Sequence, residues 1–247
     1  MPASALLIGA SVASLNLCTD EYLLLLAHSH EIASVSFLAQ DPQESPLWRT
    51  ARRYPANRGS IEGVLTRRPD IVLTMGGGGR ATRLLARRLN IRPVELVSPS
   101  SLDEVVANLR TVAAALGEPG RAIPWLEKLA RLQRTRPATS KDTLWLSGGG
   151  QTLAPGSIGT QWLRLAGLSQ RALPGGRASL ETLLAHPPAV LVRSRYRSAQ
   201  ISSGVRWLDH PIVRQAKARR LTADGRRWTC MGPLMIGEIE RLRAAAR

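Results

Sequence analysis

Three arginines alternate near the end of one apolar run: Arg193, Arg195 and Arg197, with Tyr196 between the last two. If the preceding strand continues through them, its period of two puts all three on one face. There their guanidinium groups could grip a carboxylate or phosphate two-pronged; otherwise they form a solvated loop. Two glycine runs end other apolar segments. Gly76 to Gly79, with Gly77 and Gly78 at its centre, precedes Arg80, and Gly148 to Gly150, centred on Gly149, precedes Gln151. Glycine lets a large ligand come close to backbone N–H groups. The first run lacks the Gly-Lys-Ser/Thr ending of a phosphate loop and the spacing of a dinucleotide fingerprint. It therefore reads as a strand-to-helix turn that also lines a cleft. Phe37, Tyr54, Tyr196 and Trp228 offer flat apolar contact to a ligand, and Arg80 a further cation.

Cysteine is used twice, at Cys18 and Cys230, and three readings stay open: buried thiols, a disulfide, or soft ligands to iron or cobalt. A bare zinc or manganese site needs histidines and carboxylates converging at strand ends. His28, His30 and His186 instead follow helical stretches, and His210 stands beside Pro211 at a helix start. Asp20 and Glu21 are adjacent, so they do not face one point on a helix. No nucleophile elbow or Ser/His/Asp arrangement is present. The residues suit capture of a ligand better than catalysis.

The elements that must position these residues alternate between the two periods. Strands are predicted over Val12 to Leu17, Ile32 to Ser36, Ile71 to Met75, Pro93 to Val97, Thr143 to Ser147, Val190 to Arg193 and Arg220 to Ala223. Helices are predicted from Thr19 to Ala27, Ser60 to Thr66, Arg80 to Leu89, Ser101 to Leu116, Arg121 to Arg134, Gly159 to Ala166, Ser179 to Ala185, Trp207 to Arg219 and Leu234 to Ala246. Arg49 to Gly59 reads as a loop with Pro55, Asn57 and Gly59 as turn residues. Strands alternating with helices predict an α/β fold with mainly parallel sheets.

One pattern occurs twice. Ser60-Ile61-Glu62, Val64-Leu65, Pro69 and Ile71-Val72-Leu73 match Ser179-Leu180-Glu181, Leu183-Leu184, Pro188 and Val190-Leu191-Val192 at one constant offset, near half the chain. Two related halves follow. The expected organisation is an N-terminal lobe over 1–117, an interlobe helix within 118–138 and a C-terminal lobe over 139–247. Two Rossmann-like lobes facing each other would place their strand ends on one ligand cleft.

The formal charge is +16, which raises nucleic acid as a partner. Only Lys128, Lys141 and Lys217 are lysines, however, and the arginines are spread along the chain as solvated pairs, so no nucleic acid is expected as partner. An intracellular basic α/β protein that binds nucleic acid is the rival reading. Residues 2–13 read either as part of a secretion signal or as the approach to the first strand.

Three segments together resemble the periplasmic binding proteins for cobalamin, ferric siderophores and haem. They are Ser14-Leu15-Asn16-Leu17-Cys18-Thr19-Asp20-Glu21, the Ser60-Ile61-Glu62 helix with Arg68-Pro69-Asp70-Ile71-Val72-Leu73, and Trp228-Thr229-Cys230-Met231-Gly232-Pro233. The resemblance implies two α/β lobes joined by one long helix, a periplasmic monomer without a cofactor of its own, and a metal chelate (a corrinoid, haem or ferric siderophore) as ligand. It also implies delivery to the permease of an ATP-driven importer, with Glu62 and Glu181 as the docking carboxylates.

Overall fold

A computed structural model describes residues 9–76, 79–197 and 202–247. The chain forms two units. One comprises the chain up to Ser98 together with Val106–Pro124; the other comprises Pro99–Val105 and Trp125–Arg247.

The first unit contains β1 (Val12–Ser14), α1 (Leu17–Leu26), β2 (Ile32–Ser36), α2 (Trp48–Ala51), β3 (Ala56–Asn57), β4 (Ile71–Met75), α3 (Gly79–Arg88) and β5 (Arg92–Leu96). Its five strands run parallel in the order β3-β2-β1-β4-β5. The chain moves outward from β1 to β3, then returns to the other side of β1 for β4 and β5. That reversal leaves a crevice beyond the carboxyl ends of β1 and β4, where open α/β sheets hold ligands. Val12, Ala13, Val72 and Leu73 are almost wholly buried, as near-continuous apolar runs in a sheet covered on both faces must be. Ile61, Val64, Ala86 and Ile91 close one side of this core.

α4 (Leu102–Ala115) and α5 (Ile123–Arg134) carry the chain across the division between the units. Helix was expected from Arg121; the chain instead makes a 3-10 turn over Pro119–Ala122 first, and α5 is twelve residues long. Gly117, at φ +78°, and Pro119 account for the interruption.

The second unit continues with β6 (Lys141–Leu146), α6 (Ile158–Leu165), β7 (Leu168–Gln170), α7 (Leu180–Ala185), β8 (Val190–Arg195), α8 (Ser203–Leu208), α9 (Pro211–Gln215), β9 (Arg219–Asp224), α10 (Arg227–Cys230) and α11 (Met235–Ala246). Its sheet is parallel in the order β7-β6-β8-β9. The switch point lies between β6 and β8. Leu144, Leu146, Leu183, Leu191 and Val213 form its core. The two copies of the repeat thus occupy equivalent places: each supplies a short helix packed on the sheet and the strand just past the switch point.

Several boundaries depart from the sequence reading. α1 starts at Leu17, not near Thr19, because Asn16 caps it: Asn16 Oδ1 accepts the N–H groups of Cys18 (3.1 Å) and Thr19 (3.0 Å). The stretch over Arg49 to Gly59 holds α2 and the short edge strand β3, and Trp207 to Arg219 is broken into the end of α8, α9 and the start of β9. Replacing Asn16 by alanine removes a capping acceptor and should lower stability by about 1 kcal/mol. A melting point about 2–4 °C lower is the expected reading for a chain of this size; an unchanged one would show that the cap contributes nothing.

Candidate functional site

At the first unit's switch point Asn16 performs a second task. Its Nδ2 reaches the Met75 carbonyl (3.4 Å), tying the end of β1 to the end of β4, while Gly76 turns the chain away at φ +69°. Asn16 thus takes two of the backbone N–H groups left free at the start of α1, those of Cys18 and Thr19. Phe37 follows β2 and is 54% exposed, a ready apolar contact. Tyr54 is half-buried, and its carbonyl accepts from Gln40 Nε2 (2.7 Å). Gly77 and Gly78 lie outside the described residues. Arg80 is exposed on α3, beside an open concavity that Arg83, Arg87 and Glu95 also line, with Arg83 paired to Glu95.

Beneath this edge lies a polar network that the sequence reading missed. Asp20 is 1% exposed; it accepts the Ser36 N–H (3.0 Å) and contacts the Ser36 hydroxyl. Ser14 and Thr19 share a hydrogen bond of 2.7 Å, and Asn57 Nδ2 donates to the Ser14 carbonyl (2.8 Å) and to Ser34 Oγ (2.9 Å). Burial pushes the Asp20 carboxyl up to about 7, against the opposing pull of hydrogen bonds from Ser36 and Ser14. Glu21 is buried as well, so neither carboxylate can meet a ligand as the structure stands.

The second unit's switch point holds a cavity of about 300 Å³ lined by Ser147, Gly148, Gln151, Ser194, Arg195 and Tyr196, with Ser202 and Val205 at α8. The chain beside it is held by close glycine packing. Gly150 sits at φ +78°, and a Cβ there would lie 2.5 Å from the Ala178 carbonyl and 2.7 Å from the Trp207 ring. The Gly149 carbonyl accepts from Arg177 Nη2 (2.8 Å), and Gln151 is exposed at the rim. At the end of β8, Gly225 N–H binds the Arg195 carbonyl (2.7 Å), and a side chain at Gly225 would collide with that same backbone.

β8 extends to Arg195, so Arg193 and Arg195 share a face of the strand, whereas Arg197 lies past its end in the left-handed region at φ +51°. Both strand arginines face Asp209: Arg195 pairs with it directly and Arg193 lies 4.0 Å away. Arg193 Nε is buried and has no hydrogen-bond partner among the described residues. Burial, then the charge of Arg195, hold the Arg193 guanidinium below its usual range, with Arg214 and Arg220 adding to the effect. Among the described residues Asp209 is the carboxylate these cations face, so the group is short of negative charge, and an anion placed here would relieve it.

Other predicted residues are placed differently. Trp228 is 5% exposed and packs on Trp145 with ring centroids 5.1 Å apart, so it is core rather than a platform for a ligand. Cys18 and Cys230 are both disulfide-bonded, which removes the thiolates that metal ligation would need. His28 and His30 stack on each other at 5.7 Å, and His210 Nδ1 caps α9 by accepting the Ile212 N–H (3.3 Å). No group of three or more His, Cys, Asp or Glu among the described residues could hold a metal ion. Glu62 and Glu181 are exposed in the first turns of their short helices. No described helix is long and apolar enough to cross a membrane.

No family model matches the sequence, and no curated protein matches it either. Solved structures do. A periplasmic haem-binding protein from Pseudomonas aeruginosa superposes with a TM-score of 0.65 at 22% identity, over 96% of this chain and 92% of that one. The vitamin B12-binding protein BtuF of Vibrio cholerae gives 0.66 at 17% identity, over 97% of each chain. The petrobactin-binding protein YclQ from Bacillus subtilis gives 0.71 at 13%, over 97% and 92%. This is the fold of the periplasmic solute-binding proteins. It covers nearly the whole chain, as the resemblance in the sequence implied, and the mixed α/β architecture with parallel sheets agrees with it. These structural neighbours are named for the small molecules that they bind.

Proposed function

We propose that this chain is the solute-binding component of an ABC importer, that it works in the periplasm, and that it captures a metal chelate of the corrinoid, haem or ferric siderophore class and hands it to a membrane permease. Its role is binding, with no chemical step. The observation that supports this most is the cation-rich end of β8, where the Asp209-paired Arg195 lines a cavity at the switch point and the buried Arg193 Nε, without a hydrogen-bond partner among the described residues, shares its strand face. A cavity of about 300 Å³ is at the small end for ligand sites and suits one anionic arm of a larger chelate. Phe37, Tyr54, Tyr196, Gly149, Gln151 and Arg80 are the further contacts we assign to the ligand, and Glu62 and Glu181 the contacts we assign to the permease.

An ionic hydrogen bond contributes about 1.5–3 kcal/mol, roughly a ten- to hundredfold change in affinity. Changing Arg193 and Arg195 together to glutamine should therefore weaken an anionic chelate such as haem by at least tenfold while leaving cyanocobalamin, if bound at all, nearly unaffected. Titration of the wild type and the double variant by absorbance reads this directly. Equal affinity for haem in the wild type and the double variant would remove the anion site from the account. Delivery is tested in cells that lack this protein: uptake of the chelate should fail and return with the full chain, and undiminished uptake without it would exclude the transport role.

A further inference from the structure

The first unit's sheet gathers positive charge at its amino-end edge, opposite the crevice beyond the strands' carboxyl ends. Arg67 and Arg68 close the 3-10 helix over Glu62–Arg67 just before β4, and Arg87 and Arg88 close α3 just before β5. Arg92 opens β5; it pairs in register with Ile71 at the start of β4, and its N–H donates to the Asp70 carbonyl (2.8 Å). The backbone reversals beside these residues lie in the left-handed region, Arg68 at φ +45° and Asn90 at φ +57°. All five arginines are exposed, and among the described residues none is paired with a carboxylate. Of the acidic residues closest in the chain, Asp70 accepts the Ser11 N–H (2.8 Å) and Glu95 is held by Arg83. The edge therefore carries an excess of positive charge that ligand capture does not use.

Two leucines set this edge apart from a merely basic surface. Leu84 is 47% exposed and Leu89 is 40% exposed. Leu84 precedes Arg87 and Arg88 by three and four residues, so the two arginines flank it on the outward face of α3, and Leu89 follows them directly. The backbone of a nucleic acid has phosphates for the arginines but nothing that takes the leucines out of water. A bilayer that contains anionic phospholipid has both. Its headgroup phosphates accept guanidinium groups two-pronged, and the acyl boundary beneath them takes apolar side chains. We infer that this edge of the first unit is a peripheral membrane site for anionic phospholipid, with its arginines on the phosphates and Leu84 and Leu89 at the acyl boundary. The site is separate from the ligand crevice, and it stands whether or not the captured ligand is a chelate.

The test is co-sedimentation of the full chain with vesicles of phosphatidylcholine alone, or of phosphatidylcholine and phosphatidylglycerol in equal parts. Binding is expected to the second and not to the first; absence of binding to the anionic vesicles would overturn the inference. An arginine near an anionic surface strengthens binding roughly fivefold, so Arg87→Gln, Arg88→Gln and Arg92→Gln together should weaken it by about a hundredfold. Changing Arg110, Arg134 and Arg136 to glutamine removes as much charge from exposed positions elsewhere and should weaken it by less than about threefold. Equal losses in the two triple variants would show that net charge alone drives binding, and the site would fall. Leu84→Ser with Leu89→Ser should lower vesicle binding by about tenfold and leave binding to heparin unchanged. Vesicle binding that survives the leucine variant intact would mean that the edge reads phosphate only, which overturns the bilayer contact. All these positions are on the surface, so each variant should melt within about 2 °C of the wild type. If the leucine pair melts lower, Leu84→Gln alone repeats that arm, with the same two outcomes.

Discussion

Reversing Glu62 and Glu181 together to arginine is expected to abolish delivery of the chelate while leaving its capture intact. Both side chains are exposed at the starts of short helices, so the change should leave the melting point nearly unaltered. Glu181 is fully charged at neutral pH, because its own backbone N–H and then the Ser179 hydroxyl hold its carboxyl below the usual range. Close charge pairs across interfaces couple by about 1.5–7 kcal/mol, and reversal turns each attraction into repulsion on a chain that is already strongly cationic. A fall in uptake of a hundredfold or more, with unchanged ligand affinity, is the predicted outcome. Single reversals should fall between. Uptake that survives the double reversal would show that these carboxylates do not dock.

Asp20→Asn carries the second large effect, on stability. In the unfolded chain Asp20 ionises near its ordinary value of 3.8, and in the folded chain near 7. The folded state therefore holds its proton more tightly, so ionisation opposes folding, and stability drains away as pH rises from about 4 through 7. Asparagine keeps the shape, can accept the Ser36 N–H and donate to the Ser36 hydroxyl, and has no proton to lose. Relative to the wild type, the variant should gain about 3 kcal/mol between pH 5 and pH 8. Differential melting across that range should show its midpoint rising against the wild type by on the order of 5–10 °C. Parallel pH profiles would mean that Asp20 is ionised and tolerated in the fold.

Which parts were legible in the sequence follows from what kind of signal each leaves. Long periodic runs such as Leu102 to Ala115, and buried apolar runs such as Ile71 to Met75, were read nearly to their observed bounds, because burial imposes its period on the residues. The edge strands β3 and β7 have two and three residues, too few to show any period, and both were missed. Asn16 was passed over as a cap because Thr19-Asp20-Glu21 looks like a better start; only the fold shows that Asp20 and Glu21 point into the core.

The site was legible in outline alone. The ends of parallel strands could be listed, which brought out Gly149, Gln151, Arg195 and Tyr196, all at the β6–β8 switch point. Side-chain direction could not be read, so Trp228 was taken for a ligand platform although it packs on Trp145. Asp209, which pairs with Arg195, was not singled out; its distance along the chain hid the ion pair.

The central claim is that the protein captures a metal chelate, and thermal melting against a panel of haem, cyanocobalamin, ferric siderophores and free metal ions tests it most directly. A ligand that binds only the folded chain stabilises it by about 2.7 kcal/mol at a hundredfold excess over its dissociation constant. The account predicts a shift of roughly 5–10 °C with one chelate and none with free ions. No shift with any chelate, together with salt-sensitive binding to bulk DNA or RNA, would contradict it and favour the nucleic-acid reading that the +16 charge first raised.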